Sequence, residues 1–296
     1  MGALHRYLVE EVGEDFTDGL ITRREALRRL GLLGVGVVAA SSLLAACARD
    51  EDAAPQASPT ATAGGATPQA LETQEIEFDG PGGRTIKGAW AAPEEANAGV
   101  LVVHENRGLT DHLRDVAGRF AAIGYGALAI DLLSEEGGTA SLGGDAEAMA
   151  ALDKVSDERF VADMQAGLAE IERRVPDGKI GAIGFCFGGA MVWMLVASGD
   201  ERLAAAAPFY GTVPDDPDFS DSKAAVLGVY AGEDTRVNAT RADAEAALEE
   251  AGLTYRIATF EGADHAFFND TGMRYNAEAA EDAWGRVQEW FATHLR

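Results

Sequence analysis

The sequence predicts an α/β protein with a doubly wound, mainly parallel sheet that opens with a β-hairpin. Short, wholly apolar runs are typical of strands buried on both faces. Stretches with helical periodicity separate these runs, and polar or Gly-rich turns follow them. Strands that alternate with helices pair in parallel, because each helix returns the chain to the same end of the sheet. At 296 residues and 47% hydrophobic, the chain can bury a full core.

The hairpin is predicted at the start of the globular part. Residues 75–79 alternate polar and apolar side chains, as a half-exposed strand does. Residues 81–84, Pro-Gly-Gly-Arg, form a turn, and residues 85–91 form the returning strand.

The remaining elements alternate along the chain. Apolar runs predict strands at 99–104, 125–130, 179–183, 204–210, 225–230 and 255–260. Helical spacing predicts helices at 111–123, 157–174, 190–197, 240–251 and 277–294. The polar, Gly-rich segment 132–144 is long for a strand-to-helix connection, so we expect it to flank or cover a site.

The chain is organised around the motif Gly-Phe-Cys-Phe-Gly-Gly at 184–189, which lies between a predicted strand and a predicted helix. This is the context of a nucleophile elbow, with Cys186 in the position of the usual serine. Glycines there let the strand and helix backbones approach closely around a strained turn. The helix N-terminus is expected to favour a thiolate. The alternative is a buried cysteine on an ordinary turn.

Four polar residues directly follow predicted strands: Glu105, Cys186, Asp234 and His265. In a parallel sheet such positions share one edge, where ligands bind. Nucleophile, acid and histidine come in the chain order of α/β-hydrolases. His265 would take the thiol proton, and Asp234 would fix the imidazole tautomer. Backbone N–H groups of Phe187 and Asn106 would hold the oxyanion.

Each residue also has a simpler interpretation. Taken singly, Asp234 fits a turn, His265 fits a surface histidine, and Glu105 fits an acid beside a helix. His104, His112 and His294 are interpreted as structural. The sequence has no His-Glu-x-x-His motif and no cluster of Cys and His, so no metal and no cofactor are expected.

These residues resemble the dienelactone hydrolase family of α/β-hydrolases over about residues 75–296. The matching stretches are VVHENRGL at 102–109, GFCFGG at 184–189, the Asp234 turn and GADHAFF at 262–268. The resemblance implies an α/β-hydrolase fold and a Cys-Asp-His triad acting on a lactone or small ester. It also implies that Glu105 touches the resting thiol and helps to generate the thiolate once substrate displaces it.

One position departs from the family. Its members that act on dienelactone hold the substrate carboxylate with arginines, one of them a few positions after the catalytic histidine, where this chain has Asn269. A second such arginine is not identified, although Arg159 is an option. A pocket for a neutral or aromatic ester is predicted instead, lined by Tyr210, Phe267, Phe268 and Asn269. The aromatic residues fit a core equally well.

Residues 1–47 are predicted to be an export signal that carries no packed structure. Arg23-Arg24 resembles a twin-arginine signal, and an apolar run shorter than a bilayer span follows. Leu44-Ala45-Ala46-Cys47 resembles a lipobox, in which Cys47 is lipidated and becomes the mature N-terminus. An uncleaved membrane-anchoring helix is the alternative. Residues 48–74, rich in Ala, Pro, Thr and Gly, are predicted to be a disordered tether.

The sequence therefore predicts a membrane-anchored, extracytoplasmic hydrolase domain at 75–296, with the twin-arginine export machinery and a small ester or lactone as its partners. The net charge of −25 argues against nucleic acid as a partner. A non-catalytic binding module on the same scaffold is the alternative function. A redox role is disfavoured, because no resolving cysteine lies near Cys186.

Overall fold

A computed structural model describes residues 2–47 and 69–296, and its centre is an eight-stranded sheet. The strands are β1 (Gln74–Asp79), β2 (Thr85–Ala91), β3 (Gly99–Val103), β4 (Gly126–Asp131), β5 (Ile180–Phe185), β6 (Leu203–Phe209), β7 (Ala225–Ala231) and β8 (Tyr255–Phe260). Their order across the sheet is β1-β2-β4-β3-β5-β6-β7-β8. β2 pairs antiparallel with β1 and β4, and all other pairs are parallel.

Ten α-helices surround or extend this sheet in the described ranges: α1 (Ala3–Thr17), α2 (Arg23–Leu32), α3 (Val37–Cys47), α4 (Asp111–Ala122), α5 (Asp145–Leu152), α6 (Asp157–Arg174), α7 (Phe187–Ala197), α8 (Thr235–Asn238), α9 (Arg241–Glu250) and α10 (Ala277–His294). α4 packs on α10 through the Phe120 and Trp284 rings, whose centroids are 4.7 Å apart. α6 and α7 form a second pair. Every residue of β3, β4 and β5 is buried, because helices cover both faces of the sheet.

The predicted fold class is confirmed. Each predicted strand is present within one or two residues at its ends, and the predicted helices at 157–174 and 277–294 have those bounds in the structure. Within the sheet domain, two helices were not predicted: α5, and the single turn α8 after Asp234. The segment 132–144 contains two short 3₁₀ turns, and Asp131 holds it by accepting hydrogen bonds from the backbone N–H groups of Leu133 and Thr139.

The expectation that residues 1–47 carry no packed structure is wrong. α1, α2 and α3 pack on one another, and α2 also contacts α5. Tyr7, Leu8, Val12 and Leu30 are buried in the same apolar core as the sheet domain. An amphipathic helix needs only an apolar stripe to dock in this way, so a signal-like composition does not exclude folded structure.

The predicted tether falls mostly outside the described residues, which resume at 69. The predicted tether extends too far towards the C-terminus. β1 starts at Gln74, and the Leu71 N–H donates to the carbonyl of Gly118 on α4 at 3.0 Å. In the part of the chain that the structure describes, no helix combines the length and apolar character needed to cross a bilayer.

Candidate active site

Cys186 occupies the sharp turn between β5 and α7. Its φ of 57° lies in the left-handed region, which is unfavourable for a residue with a side chain. The residues that flank this turn are glycines because the backbone passes too close to them to leave room for a Cβ atom. A Cβ on Gly184 would lie 2.1 Å from the Gly188 carbonyl oxygen, and one on Gly188 would lie 2.4 Å from that of Val103. The turn therefore holds the thiol against the loop that follows β3.

Asp234 and His265 meet at the same edge of the sheet. His265 Nδ1 lies 2.5 Å from Asp234 Oδ2, and both side chains are buried. Asp234 also caps α8 by accepting a hydrogen bond from the Val237 N–H at 3.0 Å. This bond fixes the carboxylate, which in turn orients the imidazole. A ring nitrogen of His265 lies within 4.8 Å of Cys186 Sγ.

Glu105 also lies at this edge, just after β3, and shares a cavity with Cys186. Asn269 Nδ2 donates to Glu105 Oε2 at 2.8 Å, whereas Oε1 has no hydrogen-bond partner among the described residues. Burial raises the pKa of Glu105, and the positive charges of His112 and Arg107 offset this only in part. All four residues that follow predicted strands are therefore close together.

The electrostatics of the thiol differ from the expectation of a favoured thiolate. Burial and the negative charge of Glu11 raise the pKa of Cys186, and the opposing effect of His265 is smaller. Burial also opposes the charge on His265, but Glu11, Asp234 and Cys186 together raise the pKa of its imidazole well above 6.5. The thiol is therefore harder to ionise in this site than in a free cysteine.

The predicted oxyanion residues adjoin the thiol. Phe187 is the first residue of α7, so its N–H has no carbonyl partner within the helix. Asn106 lines a cavity of about 210 Å³ together with Cys186, Glu105 and Asn269. The cavity therefore joins the thiol to the loop that carries Asn106.

The predicted pocket residues separate into two groups. Asn269 lines the cavity. Tyr210 does not line it, although its ring packs on the His265 imidazole with centroids 5.2 Å apart. In contrast, Phe267 and Phe268 are buried in an aromatic core cluster and do not line this cavity, so the core interpretation applies to them. Phe185 stacks on Phe268 in the same cluster.

Other candidates lie away from the chemistry. Leu132 donates its N–H to His104 Nε2 at 3.1 Å, and the ring's Nδ1 bonds to the Glu105 carbonyl at 2.7 Å. His104 therefore positions the loop that carries Glu105. Arg159 pairs with Glu136 and holds the 132–144 segment instead of a ligand.

Sequence reasoning missed two groups from α1 that reach the reactive atoms. Tyr7 Oη lies 3.0 Å from Cys186 Sγ, and Glu11 Oε1 lies 3.7 Å from the same sulfur. Arg236 forms an ion pair with Glu11 and places its guanidinium over the Tyr7 ring. Acids at 11, 14, 15 and 18 share one helix face, and this spacing was the available signal.

Comparisons with known proteins show the family of this chain. The family model described as "Dienelactone hydrolase family" matches residues 86–295. A candidate carboxymethylenebutenolidase of Saccharolobus solfataricus is 30% identical over 252 residues, covering 73% of this chain and 97% of that protein. Another, of Methylorubrum extorquens, is 32% identical over 206 residues, covering 65% of this chain and 70% of the relative.

Solved structures give the same result for the fold. A candidate dienelactone hydrolase from Klebsiella pneumoniae has a TM-score of 0.66 and 28% identity, covering 75% of this chain and 99% of that one. An acylaminoacyl peptidase from Pyrococcus horikoshii matches at 17% identity with a TM-score of 0.59, covering 76% of this chain and 42% of that one, which supports the fold alone. The chain is a hydrolase with the α/β-hydrolase fold and belongs to the dienelactone hydrolase family.

Proposed function

We propose that this hydrolase cleaves a lactone or small carboxylic ester by nucleophilic attack of Cys186. The observation that carries the proposal is the bond between Asp234 and His265, with a ring nitrogen of His265 within 4.8 Å of the sulfur. The second ring nitrogen, Nε2, has no hydrogen-bond partner among the described residues and is available to exchange protons.

The proposed reaction has two steps. His265 takes the thiol proton as the sulfur attacks the ester carbonyl, and the Phe187 and Asn106 N–H groups stabilise the oxyanion. The C–O bond of the ester then breaks, His265 returns the proton to the leaving oxygen, and a thioester to Cys186 remains. A water molecule attacks this thioester with His265 as base, which releases the acid and restores the thiol.

Glu105 is proposed to assist in forming the thiolate. It is fully buried beside the thiol, and burial raises its pKa, so it accepts a proton more readily than an ordinary carboxylate. Its free Oε1 is the acceptor, while the bond from Asn269 fixes the other oxygen. The glutamate then acts as an alternative proton acceptor when substrate occupies the cavity.

Export and lipidation remain part of the proposal. Arg23 and Arg24 lie on the exposed side of α2, open to recognition, and α3 ends at Cys47. We expect the chain, expressed in a bacterium, to appear in the membrane fraction and to incorporate a labelled fatty acid. Replacing both arginines by lysine should block export, and Cys47→Ser should abolish labelling. Labelling that persists in Cys47→Ser would contradict the lipobox.

The hydrolase proposal is tested with p-nitrophenyl esters of short acids and simple lactones. The full chain and a chain cut by protease at a site introduced within residues 48–68 are both assayed. Cys186→Ala should abolish hydrolysis, whereas Cys47→Ser, which changes the other cysteine, should not. Hydrolysis at the original rate in Cys186→Ala would refute the proposal. Failure of both forms on every ester and lactone would favour the binding module.

A further inference from the structure

α1 lies directly on the catalytic centre. Glu11 Oε1 is 3.7 Å from Cys186 Sγ and 3.5 Å from His265 Nε2, so its carboxylate occupies the space between nucleophile and base. An ester carbonyl must enter that same space to be attacked. Cys186 and His265 are only 3% and 2% exposed, and the Tyr7 hydroxyl also contacts the sulfur, at 3.0 Å. In this conformation no substrate can take the reactive position.

Charge complementarity holds α1 at this place. Arg236 forms ion pairs with both Glu11 and Glu14. Arg274 pairs with Asp15 at 3.3 Å and also with Asp18, one turn further along the helix. The acids lie on one face of α1 and its C-cap. Arg236 lies in α8, directly after Asp234, and Arg274 lies in the segment between β8 and α10 that carries His265. The negative charge on this face of α1 is therefore complementary to the positive charges of Arg236 and Arg274.

Glu11 is bound as an ionised carboxylate. Burial opposes its ionisation, but His265, Arg236 and Arg274 outweigh burial and lower its pKa. Arg236 contacts Glu11 and Glu14 through Nη2, and its buried Nε and Nη1 have no hydrogen-bond partner among the described residues. The centre beside Cys186 is thus an anion-binding site, and a group of this chain fills it.

The sheet domain is complete without this helix. None of the eight described strands comes from residues 2–47, and the family model matches only residues 86–295. The Klebsiella pneumoniae relative, of which 99% is covered, corresponds to 75% of this chain. α1 can therefore leave the catalytic face without removing a strand from the sheet.

We propose that α1 is a built-in inhibitor of the hydrolase, with Glu11 as the carboxylate ligand of an anion site formed by Arg236 beside Cys186 and His265. This inference rests on the proposed function, because it assumes that an ester binds where Glu11 lies. When α1 leaves, the Glu11 carboxylate no longer lies between Cys186 Sγ and His265 Nε2. The cavity that Glu11 and Asp15 line then opens to solvent. The enzyme is then active only when α1 is displaced, or is removed by the cleavage before Cys47 that the proposed lipidation requires.

The first experiment measures access to Cys186 in the full chain, without requiring hydrolysis. In a Cys47→Ser background, iodoacetamide alkylates only Cys186, since the sequence has two cysteines. Glu11→Gln keeps the shape and removes the charge, and Glu10→Gln, an exposed neighbour on the same helix, is the matched control. We expect alkylation to be about 5- to 150-fold faster in Glu11→Gln, the range typical of such couplings, and unchanged in Glu10→Gln.

The second experiment restores inhibition in trans. The chain is cut within residues 48–68 and the N-terminal fragment is washed away. Ester hydrolysis should rise, and a synthetic peptide of residues 2–21 should inhibit it competitively. The same peptide with glutamine at position 11 should inhibit at least tenfold more weakly. Glu11, Cys186 and His265 lie close enough together to bind a metal ion. EDTA is therefore present throughout, so that inhibition by the peptide cannot depend on a bound metal.

The outcomes separate the two proposals. Equal alkylation in the full and cut chains, together with no inhibition by the peptide, would overturn the inhibitor role. Faster alkylation of the cut chain without hydrolysis of any ester would support the inhibitor and refute the proposed function. If Glu11→Gln does not fold, the cut chain and the peptide still decide the question.

Discussion

The N-terminal helices and the sheet domain of this molecule contrast in what they bury. β3 and β5 bury only apolar side chains, and this burial responds little to pH or salt. Where α1 meets the catalytic face, the buried contacts include the carboxylates of Glu11 and Asp15 and their arginine partners. Buried ion pairs gain much less net free energy, because both charges lose water. The sheet is therefore a permanent structure, and the docking of α1 is conditional.

The largest expected effect lies wholly within the sheet domain. Asp234→Asn should lower kcat for ester hydrolysis by about 10³- to 10⁴-fold, because the amide favours the wrong imidazole tautomer. The loss should be the same in the full and cut chains, measured with a p-nitrophenyl ester. Asp243→Asn, an exposed acid on α9, is the control and should retain activity. A loss confined to the full chain would place the role of Asp234 in α1 docking.

A glycine in each region tests how tightly that region is packed. Gly188→Ala should lower the free energy of unfolding by about 3 kcal/mol, because its Cβ would lie 2.4 Å from the Val103 carbonyl oxygen. Gly31→Ala on α2 has open space around it and should stabilise the chain by up to about 1 kcal/mol. Urea unfolding measures both. Similar losses at the two positions would contradict the contrast in packing.

Two buried leucines separate stability from access. Leu101→Ala in β3 should lower the free energy of unfolding by about 2–5 kcal/mol, as expected for a cavity in a close-packed core. Leu8→Ala on α1 should instead speed alkylation of Cys186 in the full chain, since it weakens docking. The measurement is the ratio of the Cys186 alkylation rate in the full chain to that in the cut chain. If Leu8→Ala leaves that ratio unchanged, α1 does not gate the thiol.

The smallest expected effect is a pH dependence of docking. The pKa of His265 is raised when α1 is docked, so its contribution is complete below pH 6.5 and is lost as the pH rises through the raised value. The pKa of Asp15 is raised to about 6, so docking also weakens as the pH rises from 3.8 towards 6. Glu11 acts oppositely, because its lowered pKa favours docking above pH 4.5.

Docking should therefore weaken as the pH rises above about 6.5 and through the raised pKa of His265. We expect the ratio of alkylation rates, full chain to cut chain, to increase several-fold over this range, and the ratio cancels the ionisation of the thiol itself. Glu11→Gln should flatten the dependence, since Glu11 contributes strongly to the raised pKa of His265. A ratio that falls with pH would contradict the assigned charge states.

The sheet and the positions of Cys186, Asp234 and His265 at its edge were predictable because each depends on a local pattern. Buried parallel strands are short apolar runs, and Cys186, Asp234 and His265 each follow such a run directly. The Gly-rich turn around Cys186 indicated a close backbone approach, which the structure has. Topology then brings these distant positions to one edge of the sheet.

The rest could not be read from local patterns. Residues 1–47 combine arginines with an apolar run, and the same composition fits both an export signal and a docked helical segment. The acidic face of α1 is present in the sequence, but no local pattern predicts that it forms ion pairs with Arg236 and Arg274. Phe267 and Phe268 illustrate the same limit, because an aromatic residue beside a catalytic histidine can point inward as readily as towards a ligand.

The covalent connection between α3 and β1 has a consequence for how strong the α1 contact has to be. A segment carried on the same polypeptide meets its binding surface at an effective concentration that reaches the millimolar range. A contact with a dissociation constant of only about 10 μM would keep the catalytic face occupied about 99% of the time at that concentration. One cut within residues 48–68 would replace this local excess by dilution into bulk, and the same contact would then release almost completely at nanomolar protein.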